Sequence, residues 1–357
     1  MFPLAQLVKD HPALVSKLSR YSFFATAPLV SGLSLLPEFH GNTARIEALQ
    51  HLVAMSCKGR ANPQRDDLAV WLKLLNESPL RSMEDPIEDV FVGYVNSAFG
   101  GFRVFRGIFA EGDFWLERLL AFLEEKLDFP GFRDGIECAL PLLKLSEAIV
   151  KRVSLPRYCA GSGMAASQLK VPQWRILYPC FTAVHFSDFD LVELEINRDH
   201  LLHFVLSDEE RLKLAGQTIW NSSLERYPLI AVPSGITVIS PSNIIRAATR
   251  LLLERILQSG IGGWGDMFFH SEISSVFVND VATRLQIKPL NCKLPVWPDG
   301  VPAMMPFLGY FDYGKPVLML NHCIPLSQCA TDFNGFESFN EDIQGFSWLT
   351  RVSLGKN

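Results

Sequence analysis

The sequence predicts a mixed α/β fold of the α+β kind: a helical N-terminal domain bearing a β-hairpin, then an α/β domain with a small sheet. Three observations carry this. Apolar residues recur at helical spacing through much of the first 153 residues, pairs of short β-rich runs flank glycine-containing links, and one apolar strand stands near the end. At 357 residues, 48% hydrophobic and 20% charged, the chain can fill more than one core at about 100 to 200 residues per domain. The expected division is 1–153, a linker at 154–173 and 174–357.

Residues 43–57 place Ile46, Leu49, Leu52, Val53 and Cys57 on helical spacing, with Asn42 as a cap and Gly59 as a stop. Pro63 opens a second helix with Leu68, Trp71, Leu72 and Leu75 on one face. VFVGYV and FRVF, inside 90–107, form a hairpin across a Gly-containing link. Helices are expected over 113–127 and from about 134 to 153. SLPRYCAGSGMAASQLKVPQ is small, polar and bounded by prolines, as linkers are.

RILYPCFTAVHF reads as a strand, and the acidic stretch after it as partly helical. YPLIAVPSGITVISP folds back at Ser234 and Gly235 as a second hairpin. Ser240 and Pro241 open a helix to 259, with Ile244, Leu251, Leu252 and Ile256 inward and Arg246, Arg250 and Glu254 in a row toward solvent. A further helix is expected over 266–285, and KPVLML is the one convincing strand of the last seventy residues.

The formal charge is −5 and no run of five basic residues occurs, so no global field draws the chain to nucleic acid or anionic lipid, although a local basic patch remains open. There is no secretory signal pattern and no stretch of about 18 apolar residues, so the expectation is a cytoplasmic chain that does not enter membranes. The seven scattered cysteines include no CxxC pair and read as reduced, mostly core thiols.

The candidate chemistry is best marked by FDYGKPVLMLNHC, residues 311–323. Restriction-type nucleases hold Mg²⁺ with carboxylates from a helix and a strand and use a following E-x-K, whose lysine supports the attacking water. Glu272 and Asp312 match the carboxylates, but Asn321, His322 and Cys323 stand where E-x-K is needed. Asp312, Glu272 and His322 are therefore the catalytic candidates of a divergent nuclease or other hydrolase, with Mg²⁺ implied only in that case. No other cofactor is indicated, and no metal ligands are assigned. His200 and His203, with His185 or Cys180 near in sequence, lack a fixed four-ligand spacing for zinc. Gly161 to Ala166 mimics a dinucleotide loop without the flanking strand and helix, and IGGWGD lacks the Lys-Ser/Thr ending of a P-loop.

Arg103 and Arg106 alternate with apolar residues in the first hairpin. They either pair with Glu84, Asp85, Glu88 and Asp89 or face a partner. With Arg246 and Arg250 they are the candidate binding residues, and a nucleic-acid surface would require all four to be connected.

EDPIEDVFVGYVNSAFGGFRVFRGIF and LERYPLIAVPSGITVISPSNIIRA resemble segments of large bacterial proteins encoded near mobile or defence-type genes. The likeness covers about the first 320 residues and implies no catalytic roles. It implies that this chain is similar to an N-terminal portion of such proteins. The expected function is a non-enzymatic scaffold or interaction module in a bacterial complex acting on foreign DNA, with a protein partner or larger assembly. A metal-dependent nuclease and a nucleic-acid-binding protein are the alternatives.

Overall fold

The computed structural model describes residues 3–39, 43–76, 91–106, 112–158, 170–219 and 221–258, together with the backbone of strands at 289–290, 307–312 and 315–320. The chain divides into two compact units, Met1–Leu253 and Glu254–Asn357. The expected linker, 154–173, falls within the first, and its residues 159–169 lie outside the described set. Helices with small antiparallel sheets make the α+β fold.

The first unit begins with α1 (Leu4–Asp10), α2 (Pro12–Leu18) and α3 (Phe23–Ser34). They pack beside α4 (Thr43–Ser56) and α5 (Arg65–Asn76), the two helices expected from periodicity. All five apolar residues singled out in α4 and its C-terminal flank are buried, as are Leu68, Trp71, Leu72 and Leu75 of α5. Fully burying each such side chain stabilises by about 1.5 to 3 kcal/mol. Trp71 also meets Tyr21 edge to face at 5.2 Å.

The first hairpin is β1 (Val92–Ser97) and β2 (Gly100–Phe105), paired so that Val95 opposes Phe102 and Tyr94 opposes Arg103. Val95, Phe102 and Val104 are buried, while Tyr94 and Arg103 are exposed. α6 (Gly112–Glu124) and α7 (Pro130–Arg152) pack against the hairpin. Its backbone donors are met by side chains: Glu117 accepts from Asn96 N, Glu124 from Ala98 N and Ser146 Oγ from Phe105 N. This satisfies edge groups that would otherwise invite strand addition.

Residues 174–183 depart from expectation. They form a helix, α8 (Trp174–Ala183), and only His185–Ser187 is strand, β3. Leu177, Cys180 and Ala183 are buried at intervals of three, which is the helical period that β-branched and aromatic neighbours obscured. α8 lies against α3 so closely that a Cβ on Gly32 would sit 2.9 Å from Phe181 N.

α9 (Asp188–Glu193), α10 (Arg198–Leu202) and α11 (Asp208–Lys213) supply the helical part of the acidic stretch, each capped by the side chain before it, Ser187, Asn197 and Ser207. After α12 (Ser223–Arg226) comes the second expected hairpin, β4 (Leu229–Val232) and β5 (Gly235–Val238), and β5 also pairs with β3. Gly235 has φ +146, and a Cβ there would collide with Phe186 O. A 3-10 turn, Pro241–Asn243, leads into α13 (Ile244–Gln258).

In the second unit β6 (Pro289–Leu290), β7 (Phe307–Asp312) and β8 (Lys315–Leu320) form an antiparallel sheet in that order. KPVLML is thus a strand, but FLGYFD is one as well. Gly309 interrupts its apolar run, and the strand pairs antiparallel with β8 from Phe307 opposite Leu320 to Asp312 opposite Lys315. The helix expected at 266–285 lies outside the described residues.

Candidate functional site

Asp312 is the last residue of β7 and pairs in register with Lys315 of β8. Glu272 and His322 lie outside the described residues, as do the glycine motifs at 161–166 and 261–266 and the acids at 84–89. His185 is hydrogen-bonded through Nδ1 to Thr237 Oγ1 at 2.9 Å and through Nε2 to Ser234 Oγ at 3.3 Å. His200 lies on α10 and His203 just after it. Among the described residues no group of three or more His, Cys, Asp or Glu side chains could hold a metal ion. Cys57, Cys138 and Cys180 are buried thiols outside any disulfide, and burial pushes Cys57 up to about 12 and Cys180 to about 11.

Of the four arginines, Arg103 is exposed on the outer face of the hairpin and Arg106 is half-buried at its end. Arg246 does not lie in a solvent-facing row. Its side chain is 17% exposed and its guanidinium donates to Glu225 Oε1 at 2.7 Å and to Asn243 Oδ1 at 3.1 Å. Arg250 is half-buried, close enough for its charge to act on Glu225.

These contacts belong to a buried polar layer that periodicity did not reveal. Glu47, and Gln50 and His51 three and four residues after it, lie on one side of α4, and all are buried. Glu47 accepts from Ser242 Oγ at 2.8 Å, Gln50 Oε1 from Ser240 Oγ at 3.1 Å, and Asn243 Nδ2 donates to Ser240 Oγ at 2.9 Å. His51 Nδ1 donates to Glu47 O at 2.7 Å, so neutral Nε2 accepts from Ser222 Oγ at 2.8 Å. Burial holds His51 down to about 4. Burial, with the neighbouring Glu47 charge, pushes Glu225 up to about 7 against the pull of Arg246 and Arg250. The signal in the sequence was the Ser240-Pro-Ser-Asn243 cluster, rich in short hydrogen-bonding side chains, set against a polar trio in an otherwise apolar helix. The layer joins α4 to the segment 222–246 and has almost no solvent access.

The exposed counterpart is α8. Opposite its buried stripe, Trp174 is 43% and Tyr178 50% exposed, and Phe181 is half-buried between them and α3. The three ring centroids stand 5.9 to 6.2 Å apart, tilted rather than stacked flat. Arg65, at the start of α5, fixes the approach to this helix by donating to Val171 O at 2.9 Å and Pro172 O at 2.8 Å. On the other flank of α8 a cavity of about 440 Å³ is lined by Leu35, Pro37, Leu155, Ile176 and Cys180. Aromatic residues in an exposed row are the residue types most enriched where partners bind.

The family described as Upx-like, "Anti-phage protein Upx-like", matches residues 1–279, and the chain belongs to it. No curated protein and no solved structure matches the chain. Among the described residues no helix is long and apolar enough to cross a membrane.

Proposed function

We propose that this member of the Upx-like anti-phage family serves defence as a non-enzymatic recognition module, holding its partner on the aromatic face of α8. One observation carries the proposal: Trp174 and Tyr178 remain open to solvent on a helix whose opposite face, Leu177, Cys180 and Ala183, is fixed in the core. Large rings left in water forgo burial that would stabilise the fold, and a partner that covers them recovers it. The rigid layer around His51 and Glu225 supplies the scaffold that holds this helix's neighbours in place. The test is phage challenge of cells carrying the protein or its Trp174→Ala/Tyr178→Ala variant. Loss of protection with unchanged protein level is expected, and undiminished protection would remove the proposal.

A second reading, a divergent metal-dependent nuclease, is favoured by one feature of the second unit. Asp312 ends the central strand of an antiparallel sheet and pairs in register with Lys315. In that reading Asp312 and Glu272 would hold Mg²⁺, with His322 beside them. Incubating labelled DNA and RNA with the protein, with and without Mg²⁺ or Mn²⁺, tests it. Metal-dependent cleavage lost in Asp312→Ala would establish the nuclease, and absence of cleavage in the parent protein would dismiss it.

A further inference from the structure

The aromatic row does not stand alone. Arg20, Lys58, Arg60, Lys170 and Arg175 are exposed, and none of them has a salt-bridge partner among the described residues. Backbone bonds tie the first three together: Ala61 N donates to Arg20 O at 3.2 Å and Gly59 N to Tyr21 O at 3.0 Å. Arg65 links this group to the other two. It follows Arg60 by five residues, a reach of at most about 18 Å, and its guanidinium is bonded to the carbonyls of Val171 and Pro172. Those carbonyls lie between Lys170 and Arg175. These links bring the segments that carry the cations together beside the start of α8, where Trp174 and Tyr178 stand. Of the acids nearby, Asp66 pairs with Arg65 and Asp67 accepts from Gln64 N at 2.8 Å, while Glu38 is exposed on the cavity side of α8, beside Cys180.

Resting on the recognition reading above, we propose that the partner of the α8 face is single-stranded nucleic acid, its phosphates drawn by Arg20, Lys58, Arg60, Lys170 and Arg175 and its bases stacked on Trp174 and Tyr178. A positive track beside exposed aromatic rings is the arrangement that binds unpaired strands with little sequence preference, because every base has a π-face and every nucleotide a charge. The overall charge of −5 makes the local concentration of unpaired cations the more telling. A duplex keeps its bases stacked inside and offers the rings nothing.

Fluorescence anisotropy of the purified protein with labelled single-stranded DNA, single-stranded RNA and duplex DNA of equal length tests this across a salt series. Binding to one or both single strands in preference to the duplex is expected. Trp174→Ala/Tyr178→Ala should weaken it at least tenfold, since each stacked base contributes about 1 to 3 kcal/mol. Lys170→Gln/Arg175→Gln should lower the slope of log affinity against log salt by about 1.4, at about 0.7 per phosphate contact. No binding by the parent protein, or binding indifferent to the aromatic variant, would overturn the inference. If the aromatic variant loses phage protection while the parent protein binds no nucleic acid, the recognition reading stands and this inference falls, leaving a protein as partner. If nucleic acid is bound through these rings but protection is untouched, it is the recognition reading that falls.

Discussion

Glu225 and Arg246 form an ion pair whose side chains are 12% and 17% exposed, with Glu47 close enough to oppose the charge on Glu225. Removing the arginine takes its donors from Glu225 and Asn243 and lets the buried carboxyl protonate, so Arg246→Ala should cost about 1 to 3 kcal/mol in urea unfolding. The pH dependence has a definite sign. Glu225 titrates near 7 in the fold against a usual value near 4.5, so its contribution is complete below about pH 4.5 and is lost as pH rises through 7. Glu225→Gln does not titrate. Its stability relative to the parent should therefore improve steadily between pH 5 and pH 8, which urea midpoints across that range would record. His51 acts the other way. Held near 4 against a usual 6.5, it contributes fully above pH 6.5 and loses that contribution as pH falls through 4.

At the scale of elements, the end of α7 and the approach of α3 to α8 set the geometry of the candidate face. Ser154 takes φ 51 just past α7, where Leu155 N donates to Val150 O, so a non-glycine residue closes the helix in a left-handed conformation. Serine tolerates this at a cost, and a β-branched side chain does so poorly. Ser154→Val should lower stability by about 1 to 3 kcal/mol. Gly32→Ala would push a methyl into the Phe181 backbone, for a loss of about 1 to 3 kcal/mol and a changed environment for the rings of α8. Thermal unfolding and near-UV circular dichroism would register both. Helices with one clear apolar stripe, such as α5 and α13, were legible in the sequence, as were both hairpins with glycine at or beside the turn. α8 was not, because Tyr178, Phe181, Val184 and Phe186 read as β-formers and Pro179 as a breaker, while the core contacts at Leu177, Cys180 and Ala183 decided for helix. β7 was missed because Gly309 hides its period, although its partner β8, KPVLML, was legible as a strand.

Among the described residues of the first unit, charged side chains occur at two depths. Glu225 and Arg246 are turned inward beside α4, whereas the cations of residues 20, 58, 60, 170 and 175 are exposed. Residue spacing alone could not separate these two groups. Arg246 and Arg250 repeat every four residues as a solvent row would, yet Glu225, more than twenty residues away, draws Arg246 inward. The aromatic row escaped notice for the same reason that α8 did, since its spacing has meaning only on a helix. The defence association, by contrast, was legible in two segments of sequence, and the family match over residues 1–279 bears it out. The most direct test of the central claim is efficiency of plating on cells carrying the parent protein, Trp174→Ala/Tyr178→Ala, or Asp312→Ala, at matched protein levels. The recognition reading expects protection lost in the aromatic variant and kept in Asp312→Ala. Protection kept in the aromatic variant and lost in Asp312→Ala would contradict it and transfer the function to the strand at 307–312.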